Sequence, residues 1–500
     1  MKFYTWLATL TALALVLAAC GGSPSPTVMP EAATQAAAET QAPVASPTPA
    51  APTSQPAPTE ASPSPEVTQQ ASTQAVAPVV GVEMHHISVE GGLSQVKEMG
   101  AHWIRRNALL WSEVEPQLGA RNWEAVAGLE TELRNAAEQG LETILIVRST
   151  PAWAQKNPGV SCGPVSQGML PAFAIFMQDL VERYSTAPYN VKYYELGNEP
   201  DIDPSLVKPD NIFGCWGDLN APYYGGQYYA DMLKAVYPQV KAANPDAQVV
   251  IGGLLLDCDP TNPPESPAGS GQYADCTPAR FLEGILENGG GDFFDVVSFH
   301  AYDYYIGSLG RYGNLGWHSK SNTTGPVLIE KTGYLRNLLA AHGYPDKGLI
   351  NSESAVLCSG EEAKCVEETF EESKSIYVAQ AYASARAEGL LANIWYSIRG
   401  WRFSGLVNQQ GEPLPAAAAM KFSASQLNQA VFEAQLGQFP GLMGYAYQRD
   451  GARLWILWAL EADQSIDLGS VPAQLYDIYG NEIPTSQQIT VGVEPVYILW

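Results

Sequence analysis

Basic residues are scarce: 27 Lys and Arg stand against 52 Asp and Glu in 500 residues, a formal net charge of −25. A surface of that sign repels phosphate backbones and anionic headgroups, which argues against nucleic acid and leaves neutral molecules as the better ligands. Spaced metal-ligand motifs are missing too. None of the seven cysteines falls in a Cys-x-x-Cys pair and the six histidines form no His-x-x-x-His pair, so disulfides are favoured over zinc and no metal or organic cofactor is implied. No Gly-x-Gly-x-x-Gly follows the first strand-like run, which argues against a dinucleotide-binding open sheet. Beyond the N-terminus no apolar run approaches the ~20 residues that span a bilayer. Residues 21 to 78 lack aromatics, Lys and Arg altogether, yet hold twelve of the 37 prolines among Ala, Ser, Thr and Gln.

Each of those gaps gives meaning to what is present. Residues 1–20 read as an export signal, Lys2 followed by an apolar stretch from Phe3 to Val16. The stretch ends in Leu17-Ala18-Ala19-Cys20-Gly21, which resembles a bacterial lipobox and implies cleavage before Cys20 and lipidation of its sulfur. An ordinary signal peptide or a single anchor is the plainer alternative. Residues 21–78 cannot bury enough apolar surface to offset ordering, and are expected to be a disordered tether reaching roughly 40 Å from a membrane. The expected place is therefore the bacterial cell surface, lipid-anchored and outside the cytoplasm. There, the even set Cys162, Cys215, Cys258, Cys276, Cys358 and Cys365 is expected to form disulfides.

From Val79 the texture alternates between short β-like runs and helical stretches, the sign of βαβ units and a parallel sheet. Eight strands are expected: Val79–Met84, His102–Arg106, Thr143–Val147, Val191–Leu196, Gln248–Gly252, Val296–Phe299, Gly348–Ile350 and Ala392–Tyr396. Eight such units imply an α/β fold, a (β/α)8 TIM barrel over residues 79–436. After Pro440, two strand-like runs flank Asp450-Gly451, a tight hairpin signal, and further runs follow at Ala473–Tyr479 and Pro495–Trp500. Residues 437–500 are therefore expected to be a small antiparallel β domain whose Trp and Tyr side chains form its core, with sugar binding the lesser alternative.

One stretch organises the rest. The apolar run Val191 to Leu196 stops at Gly197-Asn198-Glu199-Pro200, so Glu199 stands where a strand opens into a loop. Glu353 holds a similar position in Leu349-Ile350-Asn351-Ser352-Glu353. The 154 residues between them hold three βα units, which puts the pair at the ends of strands four and seven, across the barrel mouth. Asn-Glu-Pro at the end of strand four resembles the acid/base motif of the clan A (β/α)8 retaining glycoside hydrolases. Further likeness lies in Trp103-Ile104-Arg105, Trp111-Ser112-Glu113-Val114-Glu115-Pro116, Thr150-Pro151-Ala152-Trp153-Ala154, Ser298-Phe299-His300-Ala301-Tyr302 and Trp395. With its trailing β domain, the pattern is most similar to family 39 and related families.

That resemblance implies Glu199 as general acid/base and Glu353 as nucleophile, since glycoside hydrolysis generally uses two carboxylates. It implies Asn198 at a sugar 2-hydroxyl, Arg105 and Tyr302 orienting Glu353, and His300 and Trp395 lining the sugar site. Residue by residue, alternatives stay open: Arg106 instead of Arg105 could point inward, His300 could be a core histidine, and Trp395 could simply pack the barrel. Tyr302, two residues beyond His300, should share its face. The expected activity is hydrolysis of a neutral, β-linked oligo- or polysaccharide, with transglycosylation as a variant. The rival from another class is a catalytically inactive carbohydrate-binding lipoprotein. Of the fifteen pairings six cysteines allow, Cys162–Cys215, Cys258–Cys276 and Cys358–Cys365 are expected, the first joining loops after neighbouring strands and the others closing short loops.

Overall fold

The computed structural model describes residues 77–263, 276–317, 325–358 and 365–500; the expected signal, Cys20 and all but the end of the tether lie outside them. Eight strands form the barrel: β1 (Val80–Glu83), β2 (Trp103–Leu110), β3 (Glu142–Arg148), β4 (Tyr193–Asn198), β5 (Gln248–Leu254), β6 (Val296–Tyr305), β7 (Gly348–Leu357) and β8 (Ala392–Trp395). Each pairs in parallel with the next, and β8 pairs back to β1, so the sheet closes. Strands β6 and β7 run well past their expected ends and stay paired as far as Tyr304 and Leu357, raising a two-stranded wall above the rim.

The helices between strands form because their apolar residues recur every three or four positions. Leu170–Tyr184, for example, buries Leu170, Phe173, Met177, Leu180, Val181 and Tyr184 against the barrel, with Pro171 in the first turn, where its missing N–H costs nothing. Inside the barrel the strand period of two sorts side chains into layers. Trp103, Ile144, Val250, Val296, Ile350, Ala392 and Ile394 pack together as an apolar plug. Gly81 belongs to this layer by necessity, since a Cβ there would lie 2.4 Å from Ile394 Cδ1 and 2.8 Å from Trp103 Cβ. One step along the strands, at Glu83, Arg105, Glu195 and Ser298, the buried layer turns polar. That change of layer floors the site.

A six-stranded antiparallel sheet follows, built from Val431–Gln435, Leu442–Arg449, Ala452–Ala459, Val496–Leu499, Gln474–Tyr476 and Glu482–Ile483 in spatial order, with a separate pair Gln464–Asp467 and Gln488–Val491. The Asp450-Gly451 turn has positive φ at both residues, as a two-residue hairpin with right-handed strand twist requires. Its first strand begins at Val431, ahead of the change of texture at Pro440. Tyr445, Tyr447, Trp458 and Tyr497 are buried, and Tyr447 Oη donates to the Ala383 carbonyl of helix Glu368–Ala387 at 2.8 Å, so these aromatics are core. Bridges Cys162–Cys215, Cys258–Cys276 and Cys358–Cys365 are all formed, the signature of an oxidising compartment. Among the described residues no helix is long and apolar enough to cross a membrane.

Candidate active site

Arg105, and not Arg106, points inward. Arg106 lies on the other face of β2 and reaches Glu132 of the helix Ala127–Glu138 at 2.7 Å. The fully buried Arg105 guanidinium bonds four partners: Nε and Nη2 fork onto Glu195 at 2.9 and 2.8 Å, Nη2 also reaches Asn198 Oδ1 at 2.7 Å, and Nη1 is shared by Glu83 Oε2 at 2.7 Å and Glu353 Oε1 at 2.5 Å. Glu195 is fixed in turn by the Gly253 N–H at 2.7 Å and the Ser298 hydroxyl at 3.2 Å. One guanidinium thus ties together strands β1, β2, β4 and β7.

Glu353 enters this network because β7 bulges. Phe299 pairs with Asn351 but His300 pairs with Glu353, so β7 carries one extra residue, Ser352, against β6, and the same surplus recurs against β8. A bulge of this kind re-aims the residue after it. The second Glu353 oxygen accepts a short hydrogen bond from the Tyr302 hydroxyl.

Glu199 is set by a different device. Gly197 (φ +90°) and Glu199 (φ +51°) both adopt left-handed backbone, which for a glutamate costs about 1–2 kcal/mol and is held by the surroundings. Glu199 N donates to the Gly253 carbonyl at 2.9 Å, and the Gly214 N–H, next to bridged Cys215, donates to the Asn198 carbonyl. The carboxylate meets His300 Nδ1 at 2.8 Å. His300 Nε2, without a hydrogen bond of its own among the described residues, stands 3.4 Å from Glu353 Oε1. One oxygen of each carboxylate and one nitrogen of this ring lie within 4.8 Å of one another.

Electrostatics separate the two carboxyls. Burial, then the Glu353 carboxylate and Asp201 and Asp257, hold the Glu199 carboxyl well above the usual range. Burial lifts Glu353 as well, but Arg105 and the Tyr302 hydroxyl oppose it. Burial, aided by Arg105 and Lys331, pushes the His300 imidazole far below its usual value, so the ring is neutral. A protonated Glu199 then donates to Nδ1, and the remaining ring proton sits on Nε2, facing Glu353. Glu199, His300 and Glu353 also form the donor set of a cation site. Both Glu353 oxygens, however, are already taken by Arg105 and Tyr302, and an ion there would abut a guanidinium, so the trio fits proton chemistry better than metal binding.

No protein-family profile matches this chain, and no curated protein matches it in sequence. Solved structures do match in shape. A family 39 glycoside hydrolase from Bacteroides cellulosilyticus WH2 superposes with a TM-score of 0.61 at 19% identity over 85% of this chain and 81% of its own. A GH30 endoxylanase from Clostridium papyrosolvens C71 gives 0.55 at 12% identity, over 85% and 97%. The α-L-arabinofuranosidase of Thermotoga maritima gives 0.52 at 14%, over 85% and 98%. The fold is that of the glycoside-hydrolase barrels. At these identities the likeness speaks for the fold, and the side chains must speak for the chemistry.

Within this (β/α)8 barrel, six of the seven expected site residues converge: Glu199, Glu353, Asn198, Arg105, His300 and Tyr302. Trp395 is the correction. Ala392 and Ile394 face the barrel interior, so Trp395 faces out, where it is fully buried, packs on the Tyr377 ring and donates from Nε1 to the Ser404 carbonyl at 2.8 Å. The next residue, Tyr396, stands at the mouth, 6.2 Å from the Tyr302 ring and 6.1 Å from His85. Sequence reasoning also missed Glu83, Glu195, Gly253 and Lys331. Lys331 Nζ holds the His300 carbonyl at 2.7 Å and the Leu255 carbonyl at 2.9 Å, its pKa lowered to about 8 by burial. A Cβ on Gly253 would fall 2.2 Å from His300 Nε2, so only glycine lets the ring lie there.

Proposed function

We propose that this chain is a retaining glycoside hydrolase acting on a neutral, β-linked oligo- or polysaccharide, displayed outside the cytoplasm by a lipid on Cys20. The observation that carries the reading is the spacing of Glu199 and Glu353, whose nearest oxygens lie within 4.8 Å. Retention by a covalent intermediate uses carboxyls ~5–5.5 Å apart, whereas inversion needs ~6.5–9.5 Å to admit water. Glu353 attacks the anomeric carbon as the leaving oxygen takes the Glu199 proton; Glu199 then accepts a proton from the water that cleaves the glycosyl ester. Arg105 and Tyr302 aim Glu353, and with Asn198 Oδ1 fixed by Arg105, the amide N–H pair is oriented for the sugar's 2-hydroxyl.

Charge supports a neutral substrate. With Glu83 and Glu199 holding their protons, Glu195, Asp201, Asp257 and Glu353 still outnumber Arg105 and Lys331 around the site, a balance that disfavours a uronate. The endoxylanase and arabinofuranosidase among the similar structures make pentose-rich plant polysaccharide the first class to assay. Proton NMR of the first product from an aryl β-glycoside should show retained configuration, and a 2-fluoro glycoside should label Glu353. With Glu353→Ala, azide should return a product of inverted configuration; with Glu199→Ala, one of retained configuration. Inversion by the wild-type protein would overturn the assignment, and saturable binding without turnover would indicate a carbohydrate-binding protein instead.

A further inference from the structure

The loop after β8 exposes two large aromatics where a soluble surface would normally hide them: Trp401 is 48% exposed and Phe403 40%. Their backbone is not slack. Arg402 and Phe403 have φ of +48° and +66°, a left-handed pair that side-chain-bearing residues seldom adopt. Hydrogen bonds hold that conformation from several sides. Cys358 N, beside its bridge to Cys365, donates to the Arg402 carbonyl at 3.1 Å, and buried Lys374 Nζ donates to the carbonyls of Phe403 and Gly405 at 3.0 and 2.7 Å. Ser404 Oγ accepts from Trp401 N at 3.1 Å and donates to the Tyr396 carbonyl at 2.7 Å. A Cβ on Gly400 would meet Gly405 N at 1.9 Å, so the loop crosses itself as closely as backbone allows.

The position of Trp401 gives the bracing its sense. Its ring stands 6.4 Å from that of Tyr302, the residue bonded to Glu353, and the Arg402 guanidinium covers one indole face at 4.4 Å. The aromatic surface Tyr396–Tyr302–Trp401 is therefore continuous with the catalytic mouth and ends in a pre-set indole. A rigid ring of this kind stacks on the C–H face of a pyranose at little entropic cost.

Resting on the glycoside-hydrolase reading, we infer that Trp401 is the platform of a second sugar subsite, so that the ligand is an oligosaccharide of at least two units. Glu353→Gln, which removes the attacking carboxylate, permits affinity to be read without turnover. Isothermal titration of that variant with xylose, xylobiose and xylotriose, and with glucose, cellobiose and cellotriose, should show affinity rising about tenfold or more from one unit to three in the series it binds, about 1.4 kcal/mol. Adding Trp401→Ala should abolish the rise, and Trp401→Phe should restore part of it. A length dependence that survives Trp401→Ala, or an equal loss at every length, would overturn the platform. Failure of the wild-type protein to hydrolyse any aryl glycoside would instead count against the enzymatic reading while leaving this ladder decisive for the subsite.

Discussion

Glu83 tests whether burial can keep a carboxyl neutral beside Arg105. Its carboxyl is buried on the floor of the site, and among the described residues its one hydrogen bond is to Arg105 Nη1, which Glu353 also uses. Burial is the chief cause that lifts its pKa from the ordinary 4.5 to about 8; Arg105 works against the rise, and Glu353 and Glu195 add to it. Folded, Glu83 keeps its proton up to about pH 8, whereas in the unfolded chain it ionises near 4.5. Its contribution to stability is therefore complete below pH 4.5 and is lost as pH climbs towards 8, at about 1.4 kcal/mol per pH unit. Glu83→Gln keeps the shape and an acceptor for Arg105 but has no proton to lose. Measured by chemical denaturation, the variant should gain on the wild type by about 3 kcal/mol between about pH 5 and 7.5. Asp201 and Asp303, raised to about 6 and about 7 mainly by burial, act in both proteins and cancel from the difference. Parallel pH dependence of the two proteins would refute the claim that Glu83 rests as a neutral acid.

Two further substitutions probe how the site is held. Gly253→Ala sets a methyl 2.2 Å from His300 Nε2 and 2.8 Å from Ser352 Oγ, so the ring must leave its bond to Glu199. Overpacking should cost about 1–3 kcal/mol by thermal denaturation, and the misplacement should cost about a hundredfold in kcat. Unchanged kcat in a folded variant would show that His300 does not position Glu199 for turnover. Removing the Cys162–Cys215 bridge, which closes a 53-residue separation, should cost about 4 kcal/mol in denaturant unfolding. Activity should fall as well, because the Gly214–Asn198 bond beside the bridge loses its brace; full activity in the Cys162→Ala, Cys215→Ala protein would count against that support.

The eight strands were legible because buried parallel strands read as short β-branched runs, and each begins within a few residues of its expected start. The side chains inside were harder, because a strand has two faces and the sequence does not say which one looks inward. Trp103 and Arg105 share a parity, as do Tyr193 and Glu195, but only the assembled barrel shows that both pairs face in and meet. A lone Glu83 or Glu195 in an apolar run gives no signal until its cation is found across the barrel. At β8 the parity was readable: Ala392 and Ile394 lead to Tyr396, and the choice of Trp395 followed residue type against that period. At β7 the period itself misleads. Alternation from Ile350 puts Ser352 inward and Glu353 outward, and only the bulge at Ser352 brings Glu353 to Arg105.

Glu199 and Glu353 are coupled, and the coupling should run the cycle. After burial, the Glu353 charge is the largest reason that Glu199 holds its proton, whereas Arg105 pulls the other way. When Glu353 becomes a neutral glycosyl ester that charge disappears, and the same Glu199, still beside Arg105 and neutral His300, should become a stronger acid. It would donate its proton while Glu353 is ionised and serve as base once Glu353 is esterified, with no change of backbone required. Carbon-13 NMR of labelled glutamate side chains, with Glu199→Gln for assignment, reads this directly. The Glu199 titration should move to lower pH when a 2-fluoro glycoside traps the ester on Glu353, and back again as the ester hydrolyses. If the midpoint stays where it was in the free protein, the Glu353 charge is not what holds the proton on Glu199, and Asp201 and Asp257, the next carboxylates in order of effect, become the residues to substitute.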